Sequence, residues 1–209
     1  AYITRFDIEL SQAEARQRLN LPLGVRIVLY KGSLGRWKGG DTLAQSVGRL
    51  KTENVLFVFI GGAPDDEAQL RSRFPNKNML LLGNVPRQQT PIFQKASDVL
   101  VIPNSAKEDI SKLYTSPMKM FGYMASGVPI VASDLPSLRE VLGEREAVFF
   151  SPDDADSLAN TIDQVLASPK DAQSRAKQAL DKVRHYSWQG RAEKILAFID
   201  TTTSRNSRH

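Results

Sequence analysis

Residues 55–62, VLFVFIGG, carry no charged or hydrogen-bonding side chain, and two glycines end them. A segment this short and apolar, rich in aromatic and β-branched residues, reads as a strand covered on both faces. The half-solvated strand of an open antiparallel sheet would alternate polar and apolar positions instead. Five shorter stretches repeat the pattern: RIVLYKG from residue 26, NMLLLG from 78, DVLVIP from 98, VPIVAS from 128 and AVFF from 147.

Helical segments separate them. Ser11 and Glu14 form a capping box that opens SQAEARQRL. Asp41 reads as the N-cap of a helix whose Leu43, Val47 and Leu50 share a face. DDEAQLRSRF carries acids in its first turn, where the helix dipole favours them. QTPIFQKA, SPMKMFGYMAS and SLREVL continue the alternation, and DADSLANTIDQVLAS, KDAQSRAKQALDKVRHY and WQGRAEKILAFID close the chain. About six strand–helix alternations predict an α/β fold. Its centre is a doubly wound, Rossmann-like parallel sheet of about six strands, with helices on both faces and further helices at the C-terminus. No repeat or low-complexity linker divides the chain, so residues 1–200 are expected to form a single domain. The polar tail TTTSRNSRH, 201–209, is expected to be disordered.

Composition removes several function classes. The 209 residues include no Cys, which excludes disulfides and thiolate metal sites. No window approaches the 18 apolar residues of a membrane span. AYITRFDIEL is not a secretory leader, because Arg5, Asp7 and Glu9 stand where an apolar run is required. A cytoplasmic protein is expected, with peripheral contact at the inner face of the membrane as a further expectation. The net charge of +5 suits an anionic partner, or is simply a solvated basic surface; no Lys/Arg run of five marks a nucleic-acid patch, and no nucleic-acid partner is expected. The two histidines, His185 and His209, lack ligand-like neighbours, and HExxH, GxSxG and DxDxDG are absent. Asp153 and Asp154 read as the N-terminal residues of a helix.

In open parallel sheets ligands bind at the carboxyl ends of the strands, so the loops leaving the strands hold the candidates. GSLGRWKGGD, residues 32–41, offers glycine backbone N–H groups from Gly32 onward, with Arg36 and Lys38 as cations. That combination suits a phosphate, and a flexible turn with two solvated cations fits it equally. In YTSPMKM, Ser116 suits an N-cap and Pro117 the first helical position. Lys119 then sits in the first turn against the helix dipole, a conflict that a bound anion would remove and that plain exposure to water would also tolerate. GNVPRQQTP, 83–91, either presents backbone to a flat base or is an ordinary turn. Gly122 stands inside a helix, where Gly costs roughly 1 kcal/mol relative to Ala. Either something packs closely on it, or a functional side chain is missing there.

The stretches LYKGSLGRWKGGDTL, FVFIGGAPDDEAQLR, LLGNVP, DVLVIPNSAKEDISKLYTSPMKMFGYMASGVPIVASDLPSLREVL, SPDDADSLA and YSWQGRAEKIL follow one another in order. Together they resemble the C-terminal, donor-binding half of glycosyltransferase family 4, whose members have the two-domain GT-B fold. The resemblance runs from about Arg26 to Ile199. It implies a nucleotide diphosphate sugar as donor, transfer with retention, no metal or other cofactor, and an acceptor held by a missing N-terminal domain. This chain alone would then bind donor and turn over little or nothing. Carried onto this sequence, the diphosphate falls to Arg36 and Lys38, which would act in catalysis, and to Gly32 and Ser33 beside them. The base falls to Asn84 and Val85, and the phosphate and sugar to Thr115, Ser116 and Pro117; Lys119, singled out by its place against the helix dipole, joins them as a substrate-binding candidate. Two departures stand out. Ser33 replaces the Arg of the family's Gly-Arg-Leu, and Tyr114 and Gly122 occupy the positions of its Glu-x7-Glu pair, so that Gly122 stands at the ribose-binding carboxylate. A degenerate, non-catalytic nucleotide- or partner-binding module and a GT-B nucleotide-sugar epimerase fit the same residues. A phosphorylase-like enzyme would need a cofactor-bearing Lys that no motif marks.

Overall fold

A computed structural model describes residues 3–6, 8–115 and 118–206. All six expected strands form: β1 (Arg26–Lys31), β2 (Val55–Ile60), β3 (Met79–Leu81), β4 (Val99–Ile102), β5 (Ile130–Ser133) and β6 (Val148–Phe150). They make one parallel sheet in the order β3-β2-β1-β4-β5-β6. The central strand β1 pairs along its whole length with β2, Arg26 opposite Val55 through Lys31 opposite Ile60, and on its other edge places Val28 opposite Val99.

Helices cover both faces. They are α1 (Gln12–Arg18), α2 (Gly40–Ser46), α3 (Pro64–Arg73), α4 (Thr90–Ala96), α5 (Met118–Ser126), α6 (Pro136–Arg139), α7 (Ala155–Ala167), α8 (Pro169–Val183) and α9 (Trp188–Asn206). Successive strand side chains point to opposite faces, and this splits the core in two. Ile27 and Leu29 of β1, with Ile102, Ile130, Met120 and Tyr123, join one cluster. Val28 and Tyr30, with Phe57, Phe59, Leu43 and Ile162, join the other.

The capping box at Ser11 is present in both directions, Glu14 N–H to Ser11 Oγ and Ser11 N–H to Glu14 Oε2. The cap of α2 differs from expectation. Gly39, in a left-handed conformation at φ 74°, is the N-cap, and Asp41 lies inside the first turn, paired with Arg73. The α2 helix also stops early: Val47–Arg49 tighten into a 3-10 turn before Leu50 goes extended. The last helix runs on to Asn206, through six of the residues read as tail, and 207–209 lie outside the described residues. No described helix is long and apolar enough to cross a membrane.

One buried ion pair anchors the amino ends of the strands. Arg16, 5% exposed, donates from Nη2 to Asp98 at 2.7 Å, from Nε to the Ala96 carbonyl, and from Nη1 to those of Leu23 and Val25. Asp98 also accepts the Ile27 N–H at 2.6 Å and contacts Arg26 at 3.3 Å. The carboxyl ends lie at the opposite pole. There the chain's winding reverses between β1 and β4, so their outgoing loops diverge and leave a crevice.

Candidate functional site

The first three loops at the carboxyl pole are joined backbone to backbone. Gly32 N–H donates to the Ile60 carbonyl at 2.9 Å, and Gly61 N–H to that of Gly83 at 2.6 Å. Asn84 Nδ2 donates to the Gly62 carbonyl at 3.3 Å. Gly61 has φ 99°, and a Cβ there would stand 2.6 Å from the Gly32 carbonyl oxygen, so glycine alone lets the first two loops touch. Between them opens a cleft of about 430 Å³, whose lining includes Gly32, Ser33, Gly62, Asn84 and Val85.

The basic loop is clamped to the far side of the crevice. Its Arg36–Lys38 segment is a 3-10 turn, and the Trp37 carbonyl accepts from Ser105 N–H at 3.0 Å and from Ser111 Oγ at 3.3 Å. A Cβ on Gly39 would overlap the Pro103 carbonyl at 1.6 Å, which fixes glycine at this corner. Lys38 Nζ lies 3.3 Å from the centroid of the Trp37 ring, a cation–π contact, and partial burial lowers its pKa.

The first turn of α5 brings Lys119 to the same place. Its Nζ is buried, has no hydrogen-bond partner, and lies 4.5 Å from the centroid of the Tyr30 ring. Burial, reinforced by the like charges of Lys38 and Lys31, pushes its pKa down to about 7. Burial also lowers the pKa of Lys31, helped by Arg87 and Arg5. Tyr123 holds Lys31 from below: its Oη accepts the Lys31 N–H at 2.9 Å. Tyr30 Oη donates to the Ser33 carbonyl at 2.6 Å and so shapes the glycine turn. The described ion pairs all lie elsewhere, and Arg5, Lys31, Lys38, Arg87 and Lys119 converge without a carboxylate partner. Arg5 and Arg87 are exposed to water, whereas the buried Lys119 Nζ has no compensating charge in the described residues.

Gly122 has a packing partner, which is an aromatic ring rather than a second backbone. A Cβ at 122 would stand 2.8 Å from Phe6 Cζ and 3.1 Å from its Cε1. Phe6 belongs to the short 3-10 turn Ile3–Phe6, which packs on α5. Gly122→Glu is therefore expected to lose about 1–3 kcal/mol in the native background, because the ring must move. With Phe6→Ala already present, the same change is expected to be neutral or to gain up to about 1 kcal/mol of helix propensity. A double-mutant cycle by urea denaturation reads the difference, and additive values would show that the ring does not hold the position.

The remaining expected residues divide. Gly32, Ser33, Asn84 and Val85 share the cleft, while Lys38 and Lys119 face each other electrostatically across the glycine turn. Thr115 ends a π-helical turn, Ile110–Tyr114, and its hydroxyl is occupied by the Ile110 carbonyl. Ser116 and Pro117 lie outside the described residues, and Arg36 is placed by its backbone in the 3-10 turn. Sequence reasoning missed Lys31, Gly61, Arg87, Tyr123 and Phe6. Lys31 was findable as the last residue of a strand, and Gly61 as the first of two glycines closing one. Tyr123 and Phe6 carry no local signal.

The family described as Glycosyl transferases group 1 matches residues 11–182. The chain belongs to that family. Among curated relatives it is 27% identical to a putative teichuronic acid biosynthesis glycosyltransferase, TuaC, of Bacillus subtilis, over 74% of this chain and 36% of that protein. It is also 27% identical to the phosphatidyl-myo-inositol mannosyltransferase of Mycobacterium leprae, over 95% of this chain and 52% of that protein. The chain thus spans about a third to a half of these relatives. Among solved structures, the sucrose-phosphate synthase of Thermosynechococcus elongatus superposes with a TM-score of 0.80 at 24% identity, over 98% of this chain and 51% of that one. Anabaena HepE, solved in complex with UDP, superposes with a TM-score of 0.81 at 18% identity, over 95% of this chain and 55% of that one. The six-stranded sheet of this chain thus matches a Rossmann-like domain of GT-B architecture.

Proposed function

We propose that this chain is the donor-binding half of a retaining glycosyltransferase, taking a nucleoside diphosphate sugar in the crevice at the carboxyl ends of β1, β2 and β4. The observation that carries the proposal is Lys119, a buried ammonium group with no partner, set beside Lys31, Lys38 and the glycine turn. A diphosphate supplies the counter-charge these groups lack. HepE has been solved with UDP and with UDP-glucose, which supports the same ligand class here.

In this reading Lys38 and Arg36 stabilise the departing diphosphate, together with Lys119 and the backbone around Gly32 and Ser33. The cations meet the developing charge without a metal ion. Asn84 and Val85 face the base, and Thr115, Ser116 and Pro117 border the sugar. The acceptor belongs to the part of the protein beyond this chain. Exposed apolar side chains on α9, Trp188, Ile195 and Leu196, suit a surface that such a part would cover. Catalysis is then positioning plus charge stabilisation, and the isolated chain turns over little.

Calorimetry with UDP, GDP and ADP tests the proposal. At least one is expected to bind with millimolar to micromolar affinity, about −4 to −8 kcal/mol. Lys38→Ala is expected to weaken it by about 1.5–3 kcal/mol, the scale of a charge-assisted hydrogen bond. Lys170→Ala, an exposed change on α8, should leave it alone. Equal losses would reduce the attraction to net charge, and no heat with any of the three would favour a non-catalytic module.

A further inference from the structure

A separate hollow of about 120 Å³ lies beside the cleft, between the N-terminal segment and helices α4 and α5. Four cations stand in its wall, Arg5, Lys31, Arg87 and Lys119, and none of its described lining residues is acidic. Two buried polar atoms around it are unsatisfied. One is Lys119 Nζ; the other is Oε1 of Gln94, a residue 1% exposed. Phe6, seated on Gly122, closes the side where a longer residue at 122 would project.

Each feature restricts the occupant. Arg5 and Arg87 stand exposed at the rim, Lys31 is half-buried and the Lys119 Nζ is buried, so the wall favours anionic oxygens and the charge of Lys119 is the costly one to leave unmet. The orphaned amide oxygen accepts a hydrogen bond and so requires a hydroxyl or N–H donor. The hollow has room for a phosphoryl group and an adjoining hydroxyl. A ribose bound through a carboxylate is excluded, because Gly122 offers none and Phe6 occupies its place.

We propose that this hollow is a second anion subsite, which takes a phosphate monoester with a neighbouring hydroxyl while the cleft holds the diphosphate. The inference rests on the donor reading only in calling the subsite second. The phosphate is carried either by the donor itself or by a separate phosphorylated molecule, and the chemistry of recognition is the same.

The test is calorimetric titration of inorganic phosphate into protein saturated with pyrophosphate. One further equivalent of phosphate is expected to bind. Arg87 is exposed and makes no described hydrogen bond, so Arg87→Gln leaves the fold intact. That variant should weaken phosphate by about tenfold or more and leave pyrophosphate within about twofold, whereas Lys38→Ala should do the reverse. Phosphate that binds only by displacing pyrophosphate, or is indifferent to Arg87→Gln, overturns the subsite. Failure of pyrophosphate to bind, with phosphate still dependent on Arg87, leaves the hollow standing and removes the donor reading instead. Ribose 5-phosphate binding alongside pyrophosphate assigns the group to a separate molecule. Adenosine 3′,5′-bisphosphate excluding both anions assigns it to the donor.

Discussion

Lys119→Met is expected to abolish diphosphate binding and, at the same time, to raise the melting temperature of the ligand-free protein. The two effects share one cause. An ammonium group with a buried, unpartnered Nζ destabilises the empty fold, and replacing a buried ion by an apolar group of similar volume typically gains about 1–4 kcal/mol. The pH dependence fixes the sign. The folded pKa is about 7 against a model value of 10.5, so between those limits the unfolded chain binds more protons. Stability of the native sequence should therefore rise with pH from about 7 towards 10.5, and the Met variant should lose that rise. Anion affinity should run the opposite way, falling as pH climbs through 7 and the ammonium form is lost. Thermal melts at pH 6 and pH 9, with and without UDP, measure all of this. A Met variant less stable than the native chain at pH 6 would mean that the cation is compensated after all.

The largest loss of stability is expected at the other pole. Asp98→Ala removes the carboxylate from Arg16 and strands a guanidinium that is 5% exposed. Breaking a buried pair on one side costs about 3–5 kcal/mol, because the remaining charge is left without compensation. The Ile27 N–H loses its acceptor in the same step, which bears directly on the start of β1. Asp156→Ala, which breaks the exposed pair with Arg49, should cost less than about 1 kcal/mol. Urea midpoints compare the two, and similar losses would contradict the role assigned to burial.

The sheet was readable because each strand has an apolar run at its centre, bounded within a residue or two by Gly, Pro or Ser. Helix ends were less readable. Asp41 has the chemistry of a cap, yet Gly39 takes that role because the corner must pass within contact of the Pro103 carbonyl, a constraint set sixty residues away. The site divides along the same line. Lys38 and Asn84 lie in loops, and Lys119 in the first turn of α5, whose own composition announces them. Phe6, Tyr123 and Arg87 become part of the site only through tertiary contacts, and no window of sequence contains both Phe6 and Gly122. Of the two answers to the question raised by Gly122, close packing is the one the structure gives, and the packing partner is a ring more than a hundred residues away rather than a second backbone.

The strand order carries a consequence for how the protein is made. Pairing among β1, β2 and β3 joins segments close in sequence, and all three have been synthesised once Leu81 is added. β4 must then travel back to the free edge of β1, setting Val99 against Val28, a closure entropically dearer and slower than the pairings before it. Lys31 and Lys38 are thus synthesised early, and Lys119 arrives only with α5. A nascent chain halted before Met118 has the glycine turns and two of the lysines but lacks Lys119, and so cannot assemble the proposed receptor. On the proposed donor reading, nucleotide capture would report that both halves of the sheet have met, and a ligand that supplies the missing charge would favour that last docking step.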